Sequence, residues 1–202
     1  GALAAGAFLD GTSPWTGRVG RPIADAALTL IDDGTDPTGL PFPCDLAGRA
    51  TRRVPMIVDG VLRTPAVDEA LAARLGVAVT PHSFGVDEHR AGHLFLAAGG
   101  AGRADLMAAA EGGLTVAALE DAHLGTAPGT FRAVLRGVRR VARGEPAGAV
   151  EDLTWEGELA ALFARVLAIG TDRVALAAGG PWGAAVTPPL ALAASGTLAP
   201  RR

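Results

Sequence analysis

The chain has 202 residues, 49% of them hydrophobic and 19% charged, so it can bury a substantial core, and intrinsic disorder is excluded for most of its length. Its 21 acidic against 18 basic residues leave a net charge of −3, which supplies no electrostatic basis for binding nucleic acid or an anionic membrane. A single cysteine excludes an internal disulfide, and no apolar run reaches the roughly 20 residues of a membrane-spanning helix.

Residues 1–8 are apolar but carry no initiating Met and no basic n-region, which predicts a product trimmed before Gly1. A cytoplasmic location is the default for a chain with one thiol. Every basic residue is Arg, and Lys, Asn, Gln and Tyr do not occur, a bias that speaks of a GC-rich genome and not of phosphate recognition.

In chain order, the apolar run 26–31 predicts a strand, stopped by turn chemistry at 32–37, where Asp and Gly cluster. Segments 49–58 and 61–64 flank Asp59-Gly60, a dipeptide that tolerates the positive φ of a tight hairpin. Val67, Leu71 and Leu75 at helical spacing predict a helix over 65–75 with Gly76 as its C-terminal stop. Residues 77–92 read as loop and 93–97 as strand. Gly99-Gly100-Ala101-Gly102 leads into a helix over 103–111, closed by Gly112-Gly113, and 114–119 reads as strand.

Residues 130–143 fit helix and strand in part, but the following Gly144-Glu145-Pro146 and the strand-like 147–153 favour a hairpin. Leu159, Leu162, Phe163, Val166 and Leu167 predict a helix over 155–169, with Thr154 as N-cap and Gly170 as stop. Strands at 173–177 and 190–194 close the chain. This order lacks regular βαβ alternation and predicts one α+β domain over 1–202, with a mainly antiparallel sheet and about three helices.

Three of the four histidines, His82, His89 and His93, fall in one short stretch with Asp87 and Glu88. Imidazoles four apart can share a helix face and bind zinc, although Gly92 interrupts such a helix; a solvated loop is the other reading. The glycine cluster 99–102 lacks the Lys that a phosphate loop requires. Ser13, Ser83 and Ser195 are outside any nucleophile elbow. Cys44 has no base beside it in sequence and reads as a buried or half-buried structural thiol. The arginines at 132, 136, 139, 140 and 143 can grip an anion or keep a strand edge soluble.

The succession Leu30-Ile31-Asp32-Asp33-Gly34-Thr35, Asp45-Leu46-Ala47-Gly48-Arg49, Met56-Ile57-Val58-Asp59-Gly60-Val61-Leu62 and Ala72-Ala73-Arg74-Leu75-Gly76 resembles the C-terminal half of the TldD/PmbA family. Asp105-Leu106, Glu111-Gly112-Gly113-Leu114-Thr115-Val116 and Ala168-Ile169-Gly170-Thr171-Asp172 continue the likeness in the same order. The resemblance implies peptide maturation by two related subunits that enclose a chamber, one a zinc peptidase and the other its non-catalytic, PmbA-like partner. The family also carries the label "modulator of DNA gyrase".

The resemblance further implies that the catalytic subunit takes its zinc ligands from an upstream H-E-x-x-x-H helix and from a Cys near the C-terminus. Here the chain begins after the expected place of that helix, the tail 177–183 has no Cys, and Ala47 stands where the family's Asp-x-Glu-Gly acid is expected. The expectation is therefore a chain with no catalytic residues and no cofactor of its own. Zinc would belong to a TldD-like partner subunit, with a homodimer as the alternative assembly; a zinc metallopeptidase whose His and Glu ligands lie in a missing N-terminal region, and a stand-alone peptide-binding scaffold, are the alternative readings. An extended peptide would pass near Asp45, Gly48, Arg52 and Arg53 and along Gly179, Gly180 and Gly183. His82, His89 and His93 remain a separate, weaker metal candidate, and neither nucleic acid nor membrane is an expected partner.

Overall fold

The computed structural model describes residues 2–85, 88–177, 184–187, 190–192 and 196–201. The fold is α+β, with short helices and several mainly antiparallel sheets. The chain forms two compact units, 1–98 with 172–188, and 99–171 with 189–202.

The first unit opens with helix α1 (Ala5–Leu9) and strand β1 (Leu30–Asp33). The strand lies four residues beyond the start expected at 26, because Asp25 organises residues 25–28 as a turn, accepting from the Ala27 and Leu28 amides through its side chain and carbonyl. Asp32 and Asp33 are therefore strand residues, both buried, and the turn starts only at Gly34.

Strands β2 (Arg53–Val58) and β3 (Val61–Leu62) form the expected hairpin. Asp59 and Gly60 have φ of 52° and 73°, the left-handed pair that a two-residue turn of matching twist requires. Gly60 is also pressed against the chain before β1: an added Cβ would lie 2.7 Å from the Asp25 carbonyl oxygen and nearer still to that of Ala24.

Helix α2 (Glu69–Leu75) starts later than expected at 65. Pro65, Ala66 and Val67 are buried ahead of the helix, and the Val67 amide is taken by the Thr80 hydroxyl at 2.8 Å. The helix begins where Asp68 can cap it, accepting from the Leu71 amide at 2.7 Å, and ends at Gly76 with φ 67°.

Within the expected loop 77–92 lies a small pair, β4 (Ser83–Gly85) with β5 (Glu88–His89). Strand β6 (His93–Leu96) then joins β1.

The second unit carries α3 (Arg103–Ala109), whose Asp105 carboxylate accepts from the Gly102 amide at 2.9 Å. The segment expected as a single strand at 114–119 divides between β7 (Leu114–Thr115) and β8 (Ala118–Leu124), which pair in different sheets. Strands β9 (Thr130–Arg136), β10 (Arg139–Ala142) and β11 (Glu145–Ala149) bear out the strand reading of 130–143 and the hairpin after it. Its turn is Arg143-Gly144, whose amides both donate to the Glu111 carboxylate.

The helix expected over 155–169 is instead strand β12 (Leu153–Glu158), a short helix α4 (Leu159–Phe163) and strand β13 (Val166–Ile169). Long-range pairing overrides the helical spacing here. β12 is bonded on both sides, to β9 and to a terminal strand, and Trp155 meets Phe131 edge-on at 4.8 Å. Thr154, expected as an N-cap, pairs with Val134 and Ala199.

The chain returns to the first unit with β14 (Val174–Ala177) and β15 (Ala184–Thr187), then to the second with β16 (Leu190–Leu192) and β17 (Thr197–Pro200). The six-stranded sheet of the first unit has the order β14-β15-β6-β1-β2-β3. The tail strands take separate partners, β14 with β15 and β16 with β13. The second unit's largest sheet has the order β17-β12-β9-β8.

Met56, Ile57, Leu62, Val67 and Leu71 are nearly or fully buried in the first unit, and Ala133, Leu135, Val138 and Val141 in the second. Gly60→Ala is expected to destabilise the protein by about 2–4 kcal/mol, since it adds both a left-handed strain and a clash with backbone that cannot move aside. The shift of the urea midpoint measures it.

Candidate functional site

Sequence spacing brings the chemistry of the first unit to β1. Leu30 and Ile31 continue the apolar run, and pairing with β2 on one side and β6 on the other carries the next residue, Asp32, into the interior. Its Oδ2 accepts from the amides of Gly92 at 2.7 Å and His93 at 2.9 Å. Its Oδ1 faces His82 Nε2 at 3.4 Å and His93 Nδ1 at 3.9 Å. His82 Nδ1 meets the Thr80 hydroxyl at 2.6 Å, and that oxygen accepts from the Val67 amide.

Burial pushes the Asp32 carboxyl upward, but the His82 contact, the His82 charge and the two backbone donors together hold it below the usual carboxylate range. Burial is also the largest influence on His93 and lowers it, aided by His82 and opposed by Asp32 and Asp33, leaving the imidazole below its ordinary value. The carboxylate is held as an anion and His93 as a neutral ring. His93 Nε2 is buried with no hydrogen-bond partner among the described residues, as are both ring nitrogens of half-buried His89.

The structure thus joins two of the three sequence histidines, His82 and His93, around a residue that sequence reasoning assigned to a turn. His89 pairs with Ser83 in the small β4–β5 ladder and does not reach Asp32 through any contact. Among the described residues no group of three His, Cys, Asp or Glu side chains is arranged to hold a metal ion.

The residues expected to meet a peptide separate into framework and surface. Asp45 is framework: its Oδ1 accepts from the amides of Ala47 at 3.0 Å and Arg49 at 2.8 Å, and its Oδ2 from Ser83 at 3.1 Å. Burial raises it, and those three amides and the Arg49 guanidinium more than offset the rise. Gly48, at φ 77°, lets this turn close. Arg49 continues to Glu69 at the start of α2, fixing the turn to that helix.

The turn lifts Leu46 into solvent, 74% exposed. Arg52 and Arg53 are exposed beside it in sequence, with Arg53 opposite Asp33 in the β1–β2 register. Cys44, expected to be at least half-buried, is exposed, because it lies on the outer arm of the turn, bridged to Ala50. Gly179, Gly180 and Gly183 lie outside the described residues.

Two arginines of 130–143 make ion pairs on the largest sheet of the second unit. Arg132 pairs with Glu156 at 3.0 Å, and Arg136 joins Glu120 and Asp152. These pairs cover the polar face of the sheet.

Residues 1–195 match the model of the PmbA/TldA metallopeptidase C-terminal domain. The chain belongs to the TldD/PmbA family. Its fold is shared by a Thermotoga maritima protein named as a modulator of DNA gyrase, at 25% identity and a TM-score of 0.83, covering 98% of this chain and 45% of that one. TldE from Thermococcus kodakarensis is similar at 21% identity and a TM-score of 0.78, over 98% of this chain and 45% of that one. A Bacteroides thetaiotaomicron protein, also named as a modulator of DNA gyrase, is similar at 23% identity and a TM-score of 0.70, over 97% and 43%. The chain thus spans less than half the length of these family structures. No curated protein matches it. Among the described residues no helix is long and apolar enough to cross a membrane.

Replacement of Asp32 by Ala leaves two buried amides and two imidazoles without their carboxylate, and is expected to cost about 3–5 kcal/mol. Asp45→Ala, which strips three amides at a turn, is expected to cost about 2 kcal/mol. Urea denaturation at neutral pH ranks the two variants; equal losses would place the centre of the unit elsewhere.

Proposed function

We propose that this chain is the PmbA-like, non-catalytic half of a peptide-processing metallopeptidase assembly, forming part of a chamber wall and the contact with a TldD-like subunit. The observation that carries the reading is the family match over residues 1–195, together with two buried carboxylates, Asp32 and Asp45, that are spent on backbone amides. Zinc, in this reading, is held by the partner. The assembly acts in the cytoplasm, and the substrate is an extended peptide.

Such a peptide is held through its own backbone groups, which any extended segment offers, with little demand on its side chains. Arg52 and Arg53 supply an exposed positive margin next to the rigid 43–50 turn, suited to a carboxylate on the peptide. A homodimer is the alternative form of the same assembly.

Metal analysis and native mass spectrometry of the purified chain, alone and co-expressed with a TldD-type subunit, test this. The expected outcome is far less than one zinc per chain in isolation and stoichiometric zinc only in a mixed complex. Stoichiometric zinc in the chain alone overturns the non-catalytic assignment. For the peptide, Arg52→Ala with Arg53→Ala is expected to weaken binding of an extended acidic peptide to the complex by about tenfold, equivalent to about 1.4 kcal/mol.

A further inference from the structure

Residues 40–50 turn an apolar side to solvent. Leu40, Pro41, Pro43, Leu46, Ala47 and Ala50 are exposed, and Leu46, at 74%, is the most exposed large apolar side chain among the described residues. The one acid of this stretch, Asp45, is folded inward, its side chain 3% exposed and accepting from three amides. Soluble proteins seldom leave such a strip bare unless something binds it.

The strip is ordered before any ligand arrives. Asp45 donates to the Arg49 carbonyl at 2.9 Å, Leu46 to that of Ser83 at 3.0 Å and Gly48 to that of Asp45 at 2.9 Å, while the Ala47 and Arg49 amides go to the Asp45 carboxylate. The arms are tied as well, Phe42 to the Gly34 carbonyl at 2.9 Å and Thr51 to that of Pro43 at 3.1 Å, with Cys44 bridged to Ala50. Little conformational entropy of the protein therefore opposes binding there.

Charge indicates what the ligand carries. Arg49 is committed to Asp45 and Glu69, but Arg52 and Arg53, directly after Thr51, are exposed, and Arg52 makes no ion pair among the described residues. Asp36 lies within the field of Arg53, and Asp33 is opposite it in the β1–β2 register; together they offset part of that charge and leave Arg52 as the stronger anion site. A second copy of this chain fits poorly, because a two-fold contact centred here would set the same arginines against each other. From the turn at Asp45 to the level of Pro43 and Thr51 the arms advance roughly 7 Å, about two to three residues of an extended peptide.

We propose that this strip selects among peptides, taking an extended segment in which an apolar side chain covers Leu46 and the adjoining prolines and a carboxylate a few residues away reaches Arg52 and Arg53. The proposal rests on the reading of the chain as part of a peptide-processing assembly and narrows its substrate to apolar–acidic sequences. Backbone groups hold any extended segment; the strip adds a preference among them.

Four synthetic peptides test it: one with a Leu and, after two residues, a pair of acids, the same with Ser for Leu, the same with amides for the acids, and one with both changes. Their anisotropy is followed on titration with the full chain, alone and in complex with a TldD-type subunit. Each change is expected to weaken binding by about tenfold. Leu46→Ser is expected to abolish the discrimination against the Ser peptide only, and Arg52→Ala that against the amide peptide only, a split that general loss of structure does not produce. Cys44, the one cysteine of the chain, reports occupancy, since its alkylation, followed by mass spectrometry, must slow when the first peptide is bound. Equal affinity for all four peptides, discrimination that survives both substitutions, or unchanged Cys44 alkylation overturns the strip as selector and leaves the peptide reading standing. No binding of any peptide, alone or in the complex, overturns both. Protection of Cys44 on concentrating the chain without peptide makes a second copy the occupant and overturns the proposal.

Discussion

A buried carboxylate with no arginine beside it must be satisfied by hydrogen-bond donors, and much of the first unit is arranged to meet that requirement for Asp32. Its two oxygens draw the Gly92 and His93 amides and two imidazoles toward the middle of β1. Those contacts set where β6 begins and where the 80–92 segment returns. Thr80 and Ser83 then carry the same constraint outward, one to Val67 ahead of α2 and the other to the Asp45 turn. Three stretches far apart in sequence thus owe their positions to one charge.

The second unit solves a different problem, that of open sheet edges. The register of β8, β9, β12 and β17 places Leu119, Leu135, Leu153 and Pro200 in one row and Ala133, Trp155 and Leu198 in the next, so one face is apolar throughout. The opposite face carries Arg132, Glu156, Arg136 and Glu120 in ion pairs. Both edges resist further pairing. β8 is broken by a bulge between Glu120 and His123, with Asp121 at φ 48°, and β17 ends in a proline that lacks an amide hydrogen. Arg132 and Arg136 of the arginine-rich segment belong to this arrangement of charge, while Arg139 donates to the Ala147 carbonyl in the β10–β11 hairpin.

Family membership and internal chemistry lead in the same direction. The polar groups of the first unit that sequence reasoning treated as ligands or peptide contacts are largely committed to holding the fold. Of the residues around the 43–50 turn, Arg52, Arg53, Cys44 and the projecting Leu46 lie at the surface.

The elements that the sequence determined by itself are those closed by local chemistry. Asp59-Gly60 made its hairpin because both residues tolerate left-handed backbone, and Gly76 ended α2 for the same reason. The ordered succession of short motifs also sufficed to identify the family. The tertiary structure decided what depends on distant partners. Residues 153–158 alternate Leu, Thr, Trp, Glu, Gly, Glu with the period of a strand, yet the helical spacing from Leu159 to Leu167 next to them competes with that pattern. Pairing with β9 and β17, which are remote in the chain, resolved it. The same holds for Asp32: its neighbours in sequence are those of a turn, and only the closure of β1 between β2 and β6 makes it the buried anion that gathers His82 and His93.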